Sequence, residues 1–128
     1  MPNPQRKVFE LEEANALLPR LESLLSGLEQ KQDHFRHLQD GLFFEELLEE
    51  SAPPDEKLQV LEETLLKMEE DLGRVHELGC LLRHAEKGLV DFLARRGDQW
   101  VYLCWRRGER QIEYYHTLRG GYFERQRL

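Results

Sequence analysis

A length of 128 residues, a net charge of −7 and a charged share of 34% fit one domain with much solvated surface. No stretch approaches the roughly 18 consecutive apolar residues of a membrane helix, so no membrane span is expected. Met1 to Lys7 has no apolar run after its basic residues, so no secretory signal is expected and the cytoplasm is the expected compartment. Two cysteines, Cys80 and Cys104, fit free thiols better than a disulfide framework.

The charge is unevenly placed. Met1 to Leu78 holds 19 acidic and 8 basic residues, whereas Gly79 to Leu128 holds 6 acidic and 10 basic, nine of them arginine. The second part also carries eight of the twelve aromatic residues. Such an asymmetry bears on partners more than on fold.

The first helical arm is expected over 9–50. Ala14, Leu17, Leu21, Leu24, Leu28, Lys31, Phe35, Leu38 and Leu42 recur at alternating steps of three and four, a heptad seam with one polar position at Lys31. Pro19 and Gly41 are its expected weak points, since proline lacks an amide hydrogen and glycine is a poor helix former. Ser51-Ala52-Pro53-Pro54 breaks the pattern. A second arm is expected over 55–78, with Asp55 as N-cap, a seam of Leu58, Leu61, Leu65, Met68, Leu72 and Val75, and Gly79 as the terminating glycine. Two heptad helices joined by a short turn should lie antiparallel as a coiled-coil-like hairpin.

Over 79–128 the pattern becomes that of a small antiparallel β-meander of three or four strands with a tail. Leu89 to Arg95, Trp100 to Arg106 and Gln111 to Thr117 are rich in β-branched and aromatic residues, and turns separate them. Two-residue turns at Gly97-Asp98 and Gly108-Glu109 put Val90, Phe92, Ala94, Val101, Leu103, Trp105, Ile112, Tyr114 and His116 on one face. The other face then carries Leu89, Asp91, Leu93, Trp100, Tyr102, Cys104, Arg106, Glu113 and Tyr115. The expected fold is thus α+β, mainly α, in a single domain.

The chain resembles the uncharacterised bacterial family named domain of unknown function 2203. The resemblance rests on Gly88-Leu89-Val90-Asp91-Phe92, on Val101-Tyr102-Leu103-Cys104-Trp105-Arg106 with Gly108-Glu109, on Tyr115-His116, and on Gly121-Tyr122-Phe123 with Arg125-Gln126. Phe9, Leu11-Glu12-Glu13-Ala14-Asn15 and Leu17-Leu18-Pro19 fit the family's opening. Tyr115 stands where members usually have tryptophan. The resemblance implies a small bacterial cytosolic protein and no particular activity.

Three functional readings follow. No catalytic, metal or nucleotide motif is complete, so no cofactor or metal is expected, and a non-enzymatic role leads: a self-associating interaction or scaffold module, a homodimer with room for a protein partner. The second is an RNA- or phosphate-ligand-binding protein, because Arg95, Arg106, Arg107, Arg110 and Arg125 accompany Trp100, Tyr102 and Tyr115, the mixture that grips phosphates and stacks on bases. The overall acidity disfavours nucleic acid. The third is a metal protein or enzyme centred on Asp91, Cys104, Glu109, Glu113 and His116, whose ligand types suit zinc or iron. On the expected register, Cys104 and His116 fall on opposite faces, which argues against a nucleophile–base pair.

Overall fold

The computed structural model describes residues 7–49 and 54–128. Within them three α-helices, α1 (Leu11–Ala16), α2 (Leu18–Glu49) and α3 (Asp55–Glu77), precede five strands: β1 (Leu81–His84), β2 (Leu89–Arg96), β3 (Gln99–Arg106), β4 (Tyr114–Thr117) and β5 (Gln126–Arg127). The strands pair in chain order, all antiparallel, as a meander with one strand more than the upper expectation. The chain packs as two compact units, one built from the chain up to Leu25 together with Arg74–Leu128, the other from Ser26–Gly73. Apart from Pro54, the Ser51–Pro54 breaker lies outside the described residues.

In the first unit, Leu17 interrupts the helix after α1, and Pro19 falls in the first turn of α2. A first-turn amide has no intrahelical acceptor, so proline there sacrifices no hydrogen bond. Phe9, Ala14, Leu18, Leu21, Leu25 and Val75 form a core with Val90, Phe92, Val101, Leu103 and Trp105 of the sheet. Burying each large apolar side chain contributes about 1.5–3 kcal/mol. The Phe9 ring meets Phe92 edge-on at 5.1 Å, and the Phe9 amide donates to the Leu93 carbonyl at 2.8 Å, which fastens the N-terminal segment to β2. Past α3 the chain turns through Gly79 at φ +90°, and it enters β2 through Gly88 at φ +64°, backbone conformations that favour glycine. A Cβ on Gly88 would lie 2.5 Å from Cβ of Arg107, and the Arg107 amide donates to the Gly88 carbonyl at 2.9 Å. The Arg107 Nε donates in turn to Glu22 of α2 at 2.8 Å.

The β2–β3 hairpin has the expected register. Arg96 faces Gln99 across Gly97-Asp98, and Asp91 faces Cys104. The next connection differs. A two-residue turn at Gly108-Glu109 would pair Arg106 with Gln111, but the structure pairs Cys104 with Tyr114 and Tyr102 with His116. That is a slip of one residue, and it exchanges the faces of β4. Tyr115 points into the core, while Tyr114 and His116 share the face of Asp91, Tyr102 and Cys104. The cause is a longer loop held from outside. Asn15 of α1 accepts from the Ile112 amide at 2.8 Å, Ile112 is buried in the core, and the Trp105 indole donates to the Glu109 carbonyl at 2.9 Å.

In the second unit, α2 buries Leu28 and half-buries Lys31, Phe35, Leu38 and Leu42, the expected seam. In α3 the inward positions are Leu61, Thr64, Met68 and Asp71, whereas Leu58, Leu65 and Leu72 are exposed, so the seam is rotated from the expected one. The polar position at Lys31 explains the rotation, since its ammonium is ion-paired with Asp71, which is only 3% exposed. A second pair joins Lys57 to Glu45. A buried carboxylate without its cation is costly, whereas replacing both partners by apolar groups is often neutral. Asp71→Ala should therefore lower stability by about 1–3 kcal/mol, moderated because Lys31 is partly solvated, and Lys31→Met with Asp71→Leu should recover most of it. Urea unfolding followed by circular dichroism checks this; equal losses in both variants would show that the pair is not what matters.

Candidate functional site

The sheet face opposite the helical core is buried yet polar. Asp91, Cys104 and His116 are each at most 3% exposed, and Leu93 and Tyr102 lie beside them. The pairing of β2 with β3 brings Asp91 opposite Cys104, and the slipped β4 brings His116 beside both. One ligating atom from each of the three lies within 4.8 Å of the others.

Hydrogen bonding orients each group. His116 Nδ1 faces the Thr117 carbonyl at 2.8 Å, and a carbonyl only accepts, so Nδ1 carries a proton. His116 Nε2 faces both oxygens of Asp91 at 3.0 Å. An ionised carboxylate also only accepts. A proton shared between Nε2 and Asp91 satisfies this contact, and so does a metal ion taken by the Nε2 lone pair and the carboxylate. The carbonyl bond at the far ring nitrogen is the arrangement that orients histidine ligands in metalloproteins. Arg83 Nε donates to Asp91 Oδ2 at 3.0 Å, and the guanidinium lies 4.9 Å over the Tyr102 ring. Burial, and then the Asp91 charge beside it, push the Cys104 thiol up to about 12, so without a metal it is protonated and unreactive at neutral pH.

A cavity of about 250 Å³ opens onto Asp91 and Cys104, walled by Arg83, Gly120, Gly121 and Tyr122 among others. The C-terminal segment is pinned there by Arg125. Its guanidinium donates to Glu109 at 2.9 Å and to the Tyr122 hydroxyl at 3.2 Å, and it stacks on the rings of Tyr114 at 4.1 Å and Tyr122 at 4.2 Å. Arg106 also donates to the Tyr122 hydroxyl, at 3.1 Å.

Of the five residues expected to form a cluster, Asp91, Cys104 and His116 come together. Glu109 instead binds Arg125, and Glu113 pairs with Arg127 at 3.4 Å. The arginine–aromatic set is engaged internally: Arg95 lies over Trp100 at 5.1 Å, Arg96 over Tyr115 at 4.2 Å, and Arg107 binds Glu22. Arg110 is exposed. Arg83, Thr117 and Tyr122 were not among the expected site residues. No sequence signal marked Arg83, because Leu81 is the residue opposite Asp91 and Arg83 sits in the register shift between Leu82 and His84, from where its side chain reaches back to the carboxylate.

The two buried thiols set a pH dependence. Burial raises Cys80 to about 11, and Cys104 to about 12, against an ordinary 9.0. The folded state thus favours the protonated thiols; their contribution is complete below pH 9 and is lost as pH rises from there toward 12. In chelator-treated protein the urea midpoint should fall between pH 9 and 11, and Cys80→Ala with Cys104→Ser should flatten that fall. An unchanged slope in the double variant would assign the alkaline loss to other groups.

A family model described as Uncharacterized conserved protein (DUF2203) matches residues 7–128. No curated protein and no solved structure matches the chain.

Proposed function

The chain belongs to this family of uncharacterised conserved proteins, and from the site geometry we propose that it binds a divalent metal of the zinc class through Asp91, Cys104 and His116. One observation carries the reading: His116 gives its Nδ1 proton to a backbone carbonyl and aims Nε2 at a buried carboxylate, with a thiol inside the same 4.8 Å cluster. Mixed nitrogen, sulfur and oxygen ligands suit zinc, and three protein ligands beside a cavity match sites that keep a coordination position open. Arg83 on Asp91 supplies the outer-shell bond that such ligands usually have. Binding would draw the proton from Cys104 and leave a thiolate on the metal.

After gel filtration with zinc, elemental analysis should give one zinc per chain. His116→Gln and Cys104→Ser should reduce this to a small fraction with unchanged far-UV circular dichroism. Zinc at a hundred times its Kd should stabilise the protein by about 2.7 kcal/mol. A trace of zinc with no change in unfolding would overturn the reading.

A second reading, a homodimeric interaction module, is favoured by the end of α2. Phe43, Phe44, Leu47 and Leu48 are between 59% and 80% exposed, more contiguous apolar surface than a solvated helix end ordinarily carries. The ion pairs Lys31–Asp71 and Glu45–Lys57 run in opposite order along α2 and α3, which supports an antiparallel hairpin presenting that surface. The same reading takes the protein to act in the bacterial cytoplasm. Sedimentation should give a dimer, and Phe44→Ser with Leu48→Ser a monomer; a monomeric parent protein would remove this reading.

A further inference from the structure

With Asp91 and Cys104 engaged by a metal, the remaining polar groups at the cavity are donors. Arg83 gives one of its five N–H groups to Asp91 and has no acceptor role. The Tyr122 hydroxyl accepts from both Arg106 and Arg125, so its own proton is the one left to give, and no acceptor takes it among the described contacts. The charges point the same way. A divalent cation, the Asp91 carboxylate and a Cys104 thiolate sum to zero beside a neutral His116. Arg83 stands on the cavity wall, whereas Arg106 and Arg125 stand behind it on the Tyr122 hydroxyl, with Glu109 on Arg125 and Glu124 accepting from the Gly121 amide at 2.8 Å. On the cavity wall of the metal-loaded site Arg83 thus adds a positive charge and Tyr122 a hydroxyl donor, with Leu89 and Leu118 forming an apolar remainder. Gly120 and Gly121 contribute no side chains to it, which leaves room for a molecule of a few heavy atoms in about 250 Å³. A neutral ligand would leave that charge uncompensated, and a cation would be repelled.

We propose that the fourth coordination position takes a small oxyanion, a carboxylate or phosphate group, held by the metal, Arg83 and the Tyr122 hydroxyl. This rests on the metal reading above and assigns the class of ligand that the site selects. Arg83 is then bifunctional, orienting Asp91 through Nε and meeting the anion through its other N–H groups. Tyr122 ties ligand binding to the C-terminal segment, because the two arginines that hold its hydroxyl also reach Glu109 and Tyr114.

Cobalt(II) in place of zinc tests this, since its visible bands report both the thiolate bond and the coordination number. The full-length protein is loaded with cobalt, then titrated separately with acetate and with inorganic phosphate at constant ionic strength set by perchlorate. At least one of the two should change the bands saturably. Arg83→Gln, read on cobalt-saturated protein because losing its bond to Asp91 also lowers cobalt affinity, should weaken that anion roughly tenfold or more, as expected for losing a charge-assisted hydrogen bond. Tyr122→Phe should weaken it severalfold without touching Asp91. If cobalt bands form but neither anion alters them, or if both variants bind the anion as the parent does, the oxyanion inference falls and the metal site stands. If no thiolate-to-cobalt band forms at all, the metal site falls and the inference with it.

Discussion

Everything distinctive about the sheet depends on one register, that of β4 against β3. With Tyr102 opposite His116, the alternation of side chains sends Tyr115 into the apolar core and His116 to the other face, beside Asp91 and Cys104. Shifted by one residue to the short-turn register, the same strand would bury an imidazole among Phe92, Leu103 and Trp105 without its carboxylate, and would set Glu113 opposite Cys104 beside Asp91. Burying a polar group without a partner costs a few kcal/mol, of the order of a small domain's whole margin of stability. The register is thus both a folding requirement and the device that assembles the site.

Much of the architecture was legible because its signals are local. The heptad steps of α2, the glycine after α3 and the Gly97-Asp98 hairpin each depend on a few neighbouring residues, and the structure has all three. What was not legible depends on residues far apart in the chain. Nothing near Ile112 announces that Asn15, 97 positions away, will take its amide, and without that bond the short hairpin is the natural reading. The seam of α3 failed to show for the same reason. Leucine spacing selected Leu65 and Leu72, while a lysine on another helix selected Asp71.

The candidate site divides along the same line. Asp91 and Cys104 could be placed together because a well-marked hairpin joins them. His116 was named as a ligand type and then put on the wrong face. Glu109 and Glu113 were chosen for their chemistry, but their carboxylates meet arginines instead. The arginine–aromatic mixture was read as a surface for bases, and most of those rings lie under the protein's own guanidinium groups. Composition identified the ingredients of stacking and could not say that the stacking would be intramolecular.

The glycine at the start of β2 has a consequence beyond its own turn. Gly88 lets the backbone of Arg107 come close enough for an amide–carbonyl bond, and the side chain of the same arginine holds Glu22 on α2. Turn, strand exit and helix base are therefore links of one mechanical linkage, with a residue that has no side chain at its fulcrum. Bulk added at that fulcrum would be felt on a helix that the glycine never touches, because the arginine between them would have to let go of one neighbour to keep the other.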